Sequence, residues 1–191
     1  PESVAAVEVA NRVVKNCFHL VITCNPQGEL ALKASNCSNY YSVLMPEETL
    51  DQSFAMTSSF TSMMVSTLCI FTPDQYSLEK VSISAKNIID SKSRDIRIMA
   101  SRNTKQLVFL GSGGLLGIAK ESALKLLELT AGQIFSYYES PLGFRHGPKS
   151  IMDEFTEVIV FTSNDVYTKK YDEDLVDELV RDGEGVAINK L

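Results

Sequence analysis

A chain of 191 residues that is 45% hydrophobic and 22% charged has the balance of a globular protein, with length for one large domain or two small ones. A net charge of −6 and a pI of about 5.0 argue against non-specific nucleic-acid binding, which needs a basic face. The densest basic stretch (Lys86, Lys92, Arg94, Arg97, Arg102, Lys105) reads as a solvated helix face. Cys17, Cys24, Cys37 and Cys69 form no Cys-x-x-Cys pair and have no histidine cluster beside them. They read as free buried thiols in a reducing cytoplasm rather than a metal site or a disulfide framework.

In chain order, Pro1-Glu2 suits the first turn of a helix running to about Lys15. The absence of an N-cap residue and of an initiator Met reads as a chain that starts inside a larger protein. Phe18–Thr23 is β-branched and aromatic, ends at the Asn25-Pro26-Gln27-Gly28 turn, and predicts a strand. Tyr40–Met45 predicts another. From Gln52 to Pro73 there is no charge, and nine residues are Ser or Thr. This composition predicts a buried helix over Ser53–Phe71, packed through small residues, rather than a membrane span. Leu78–Met99 is an amphipathic helix. Gln106–Leu110 is a continuous apolar run of the kind found in a parallel strand buried on both faces. The turn Gly111-Ser112-Gly113-Gly114 and a helix over Leu115–Leu129 follow it. Ile134–Tyr138 is a strand candidate, Ser140–Pro148 a loop, Val158–Phe161 a strand, Asp172–Arg181 a helix, and Val186–Asn189 the start of a strand. Alternating strands and helices predict an α/β fold with parallel sheets.

Four groups of residues can carry chemistry. The glycine-rich turn presents backbone N–H groups at a helix N-terminus, which suits an anion or polar substrate, though a tight strand-to-helix turn needs the same residues. Glu121, Lys125 and Glu128 share one helix face, where a carboxylate beside an ammonium can act as a general base; an exposed salt-bridged face is the plain alternative. The segment Pro141–Lys149 sets Arg145 and His146 among two glycines and two prolines, and His can pass a proton near neutral pH. The other histidine, His19, reads as a satisfied strand residue. The hydroxyls of Thr57, Ser58 and Ser59 suit either sugar contacts or N-capping.

Several strings resemble the sugar-isomerase (SIS) domain proteins that carry two tandem SIS domains. They are VFLGSGGL (108–115), AKESALKLLELTA (119–131) and SPLGFRHGPKS (140–150), with PESVAAV (1–7), LVITCN (20–25) and FAMTSS (54–59) in support. The resemblance is to the galactosamine-6-phosphate deaminase/isomerase family, also called tagatose-6-phosphate ketose/aldose isomerase. It implies an SIS-type three-layer α/β sandwich with parallel sheets, residues 1–100 forming the C-terminal part of a first SIS domain plus a linking helix, and 101–191 the N-terminal part of a second. It implies Glu128 as the proton-transferring base, His146 as the residue that assists ring opening, in some members across a subunit boundary, and Lys125 and Glu121 as residues that position the Glu. Gly111, Ser112, Gly113, Phe54, Thr57, Ser58, Glu121 and Arg145 are implied as substrate contacts. The substrate implied is a hexose or hexosamine 6-phosphate, handled by a cytoplasmic homo-oligomer without metal or cofactor, nucleic acid or membrane. The family's Ser-rich phosphate loop precedes the segment matching Pro1, and a catalytic Lys lies in a C-terminal region, so the 191-residue chain is expected to turn over little substrate by itself. The alternatives are an isomerase that does not deaminate and a sugar-phosphate-sensing SIS module.

Overall fold

The computed structural model describes residues 2–73, 77–183 and 187–191. The chain falls into two units, Pro1–Ile88 and Ile89–Leu191, which meet within one long helix.

The first unit contains α1 (Glu2–Val13), β1 (His19–Thr23), α2 (Glu29–Asn36), β2 (Tyr40–Leu44), a 3₁₀ turn (Glu47–Thr49) and α3 (Ser58–Phe71), and it takes in the start of α4 (Leu78–Ala100). β1 and β2 pair in parallel from His19↔Tyr40 to Thr23↔Leu44. Parallel pairing needs a crossover, and α2 supplies it. Pairing continues beyond β2, where Met45 N–H donates to the Thr23 carbonyl at 3.0 Å. Among the described residues few side chains are buried in this unit: Val21, Cys24, Ala31, Ala55 and Ser59. The expectation of a buried α3 is therefore corrected. Only Ser59 of that helix is buried, whereas Phe60, Met64, Ile70 and Phe71 are exposed. The helix also starts at Ser58 rather than Ser53, because Asp51 binds the backbone at its first turn. Only Cys24 among the cysteines is buried; Cys37 is exposed.

The second unit continues α4 and adds β3 (Gln106–Gly111), α5 (Leu115–Leu129), β4 (Phe135–Glu139), α6 (Pro141–Arg145), a 3₁₀ turn (Pro148–Ile151), β5 (Thr156–Phe161), α7 (Val166–Asp182) and β6 (Ala187–Lys190). The sheet order is β4-β3-β5-β6, all parallel. Alternation along the central strands sorts side chains to two faces. Val108, Leu110, Val158 and Val160 pack with Phe144, Leu175 and Leu179 of α6 and α7. Leu107, Phe109 and Ile159 pack on the opposite face with Ala119 and Ala123 of α5. The unit is thus three layers: helix, parallel sheet, helix.

Several boundaries move from the sequence expectation. The loop predicted over Ser140–Pro148 contains α6, capped by the Ser140 hydroxyl accepting the Gly143 N–H. The helix predicted from Asp172 begins at Val166, because Asp165 caps it through the Thr168 N–H at 2.8 Å. Pro1 and Val186, both assigned to elements from sequence, lie outside the described residues. No helix among the described residues is long and apolar enough to cross a membrane.

Candidate functional site

α5 holds the strongest cluster. Ala119 and Ala123 press one side of this helix on the sheet, and Glu121, Lys125 and Glu128 lie on its other side, as the 3.6-residue period requires. The Lys125 ammonium donates to Glu128 Oε2 at 2.7 Å and lies 3.5 Å from Glu121 Oε1. Side-chain exposure is 20% for both Lys125 and Glu128, so the pair is half-buried yet reachable. The hydrogen bond to Glu128 raises the Lys125 pKa above its ordinary value, with the charges of Glu128 and Glu121 adding to it. The ammonium therefore stays charged and fixes the orientation of the neighbouring carboxylate.

The glycine-rich turn is at the other end of the same helix. At 1.5 Å per residue, Gly113 and Glu128 are roughly 20 Å apart along α5. Gly111 is buried, and a Cβ there would meet the Leu115 carbonyl oxygen at 2.4 Å, so its missing side chain is what lets α5 start so close to β3. Gly113 takes a left-handed φ of 56° and is exposed. The Ser112 hydroxyl donates to Asp172 Oδ1 at 2.6 Å, and the other oxygen of that fully buried carboxylate accepts the Ser163 N–H at 2.9 Å. This carboxylate ties the turn after β3 to the turn after β5. A cavity of about 370 Å³ at this end of the sheet is lined by Ser112, Gly113, Ser140, Leu142, Tyr167 and Tyr171, among others.

Arg145 and His146 stand on the opposite face of the sheet from α5. Arg145 contacts Asp174 and Glu178 of α7 at 2.8 Å each, and Lys149 contacts Glu178 at 2.6 Å and also Asp182. The Arg145 guanidinium thus clamps α6 to α7. His146 is exposed, and its ring makes no hydrogen bond or ion pair among the described residues. Within this unit the sheet itself separates His146 from Glu128.

Phe54, Thr57 and Ser58 lie in the first unit. Phe54 is 86% exposed. Thr57 and Ser58 are held by Asp51, whose carboxylate accepts the N–H groups of Thr57 (2.8 Å), Ser58 (3.1 Å) and Ser59 (2.9 Å) and the hydroxyls of Thr57 (3.0 Å) and Ser59 (2.6 Å). The Ser59 hydroxyl, followed by these backbone donors, holds the Asp51 carboxyl far below the usual carboxylate range. His19 is a satisfied strand residue: its Nε2 meets Asn11 Oδ1 at 2.8 Å, and its ring packs on Tyr40 at 4.5 Å.

Sequence reading missed two residues, Asp51 and Asp172. Asp51 caps α3 from six residues ahead of Thr57, outside the usual N-cap spacing, so no local pattern marks it. Asp172 reads as an ordinary helical acid until the fold buries it. No group of His, Cys, Asp and Glu able to hold a metal occurs among the described residues.

No family model matches the chain. It is 51% identical over 188 residues to the D-galactosamine-6-phosphate deaminase AgaS of Shewanella sp. (strain ANA-3), covering 98% of this chain and 49% of that protein. It is 48% identical over 199 residues to the D-galactosamine-6-phosphate deaminase AgaS of Escherichia coli O157:H7, covering 98% and 50%. The crystal structure of tagatose-6-phosphate ketose/aldose isomerase from Escherichia coli superposes with a TM-score of 0.84 at 47% identity, over 100% of this chain and 52% of that one. The chain therefore spans about half the length of the curated relatives it matches. Along nearly its whole length it is homologous to the D-galactosamine-6-phosphate deaminase AgaS proteins and similar in structure to tagatose-6-phosphate ketose/aldose isomerase.

Proposed function

We propose that the complete protein converts galactosamine 6-phosphate to tagatose 6-phosphate and ammonia. The observation that carries this reading is the half-buried Glu121–Lys125–Glu128 cluster on α5, in a chain about half identical to deaminases of this substrate. Glu128 takes the proton from carbon two of the open-chain amino aldehyde, leaving an enolamine. The proton returns to carbon one, giving the ketose imine, and water adds to that carbon–nitrogen double bond to release ammonia. Lys125, at 2.7 Å, aims the carboxylate, and Glu121 steadies the ammonium from the far side. These steps use acid–base groups alone, and no metal or cofactor enters them.

His146 assists ring opening in this reading, from a second copy of the chain. Its ring is exposed and unpartnered among the described residues, and it lies across the sheet from Glu128, so one second unit does not bring the two together. The complete protein is accordingly a homo-oligomer, read here as cytoplasmic from its free thiols, and its two units are parts of tandem SIS domains. Phe54, Thr57 and Ser58 line the sugar, and Gly111, Ser112 and Gly113 shape the turn that starts α5. Ammonia release by the full-length protein, compared on galactosamine 6-phosphate and glucosamine 6-phosphate, tests the reading. Isomerisation of tagatose 6-phosphate without ammonia from either amino sugar assigns the plain isomerase instead. Binding without turnover assigns a sensing module.

A further inference from the structure

We infer that Glu178 is a positioning residue for His146: it ties together the two ends of the turn that carries this histidine and so fixes where the ring is presented. The inference rests on the proposed role of His146 and deepens it.

The turn is held at its ends and loose in its middle. Phe144, before it, is fully buried, and Ile151, after it, packs against the same core. Between them Gly147 takes φ 154° and ψ −58°, a backbone conformation that residues with a Cβ rarely adopt. Glycine gives the chain that conformation but lends it no stiffness. His146 stands beside this glycine, exposed and with no side-chain partner among the described residues. Its placement therefore comes from its neighbours.

Those neighbours are Arg145 and Lys149, and both reach Glu178. Lys149 Nζ donates to Glu178 Oε1 at 2.6 Å. Arg145 Nε lies 2.8 Å from Glu178 Oε2, an ion pair without the alignment of a hydrogen bond. One carboxylate thus spans the turn from Arg145 to Lys149. Its base is firm, since Leu175 and Leu179 are buried and seat α7 on the sheet. Asp174, Glu178 and Asp182 recur at every fourth residue and share one face of α7. Arg145 Nη2 also donates to Asp174 Oδ2 at 2.8 Å, and Lys149 also pairs with Asp182. Of the three acids Glu178 has the least exposed side chain, 21% against 67% for Asp174 and 36% for Asp182, so water and salt screen its ion pairs least. It is also the acid that the two cations share.

This arrangement separates positioning from folding. Without the Glu178 charge, Arg145 keeps Asp174 and Lys149 keeps Asp182, so no cation is stranded. Repulsion along the acidic row also falls. What is lost is the link across the turn.

The test uses the full-length protein and a double-mutant cycle with His146→Ala, read by steady-state turnover of galactosamine 6-phosphate and by melting temperature. Glu178→Gln keeps the shape of the side chain and removes its charge. It is expected to lower kcat about tenfold, inside the roughly hundredfold that a misplacement of about 1 Å can cost, with KM and melting temperature near wild type. In the His146→Ala background the same change is expected to lower kcat by less than about twofold, because an absent ring cannot be misplaced. Lys149→Gln, which frees the other end of the turn, is expected to repeat this pattern, and it carries the test if Glu178→Gln does not fold. Equal losses of kcat in the two backgrounds overturn the inference, because the carboxylate then acts on something other than His146. Wild-type kcat in Glu178→Gln, whatever its melting temperature, also overturns it, because the ion pairs then only seat α6. Wild-type turnover in His146→Ala removes the proposed role of the histidine and this inference together; an impaired His146→Ala with equal losses in both backgrounds removes the inference alone.

Discussion

Gly111→Ala separates a packing role from a ligand-contact role at the glycine-rich turn. An added Cβ would sit 2.4 Å from the Leu115 carbonyl oxygen, 2.6 Å from its carbonyl carbon and 3.0 Å from Leu115 Cβ. Ordinary contact begins near 3.4 Å, so the first turn of α5 must retreat by about 1 Å (3.4 − 2.4). The obstacle is backbone, which a rotamer change cannot move. Overpacking of this kind costs about 1–3 kcal/mol. Ala119 and Ala123, which seat α5 on β3 and β5, lose contact in the same movement. Because α5 is a rigid rod with Glu128 in its last turn, a shift of about 1 Å at its start also displaces the carboxylate. Misplacement on that scale can cost about a hundredfold in rate. Urea unfolding together with turnover by the full-length protein measures both effects. Gly114→Ala is the control: a Cβ there meets nothing within 4 Å and φ is −62°, so stability stays level or rises by about 0.4–1 kcal/mol. Wild-type stability in Gly111→Ala, with only KM raised, would refute the packing argument and make Gly111 a ligand contact.

Mixing full-length Glu128→Gln with full-length His146→Ala, each nearly inactive alone, is expected to restore roughly a quarter of wild-type turnover in a randomly assorted dimer, since half the sites in mixed dimers have both intact residues; no recovery would mean that each site draws both residues from one chain. Arg102→Ala leaves Glu157, 1% exposed and joined to Arg102, Thr104 and Asn189, as an uncompensated buried charge, at a cost of about 3–5 kcal/mol in urea unfolding. Phe144→Ala empties the centre of the α6/α7 face and costs about 3–5 kcal/mol by the same measurement. The Asp51, Asp153 and Asp165 carboxyls are all lowered from an ordinary value of 3.8, by hydrogen bonds led by the Ser59 hydroxyl, the Thr156 hydroxyl and the Thr168 N–H respectively. Groups depressed on folding stabilise fully above their unfolded value, so thermal stability should hold above about pH 4 and fall as pH drops below it. Asp165→Asn should flatten that acid limb, and an unchanged limb would mean that Asp165 contributes nothing to it.

The parts of the fold legible in sequence were those whose cause is local. β3 read as a buried parallel strand because its apolar run serves both faces of the sheet, as Val108 and Phe109 do, and the apolar run of β5 read as a strand. Glu121, Lys125 and Glu128 could be grouped because a helix period alone brings them together. α2 escaped notice: it is eight residues long and buries only Ala31, so it leaves almost no apolar periodicity. The Ser140–Pro148 segment read as a loop because its glycines and prolines mask the one-turn helix that Ser140 caps. The apolar, uncharged α3 read as buried because composition reports what a helix can bury, not what covers it. The separation of Glu128 from His146 was not legible, because which face of the sheet each joins is settled by layering, far beyond sequence neighbours. Asp51 and Asp172 act at distances of six to 60 residues, where no motif records them.

Exchange of the substrate's carbon-two proton with deuterated water tests the assignment of Glu128 most directly. In the full-length protein Glu128→Gln keeps the side chain's size and its hydrogen bonding but removes its ability to accept a proton. Exchange is expected to fall about 10²–10⁴-fold, while a binding titration with the sugar phosphate stays near wild type. Glu121→Gln, on the same face and 3.5 Å from Lys125, is expected to cost far less. Exchange at the wild-type rate in Glu128→Gln would contradict the account and return the α5 cluster to a salt-bridged surface.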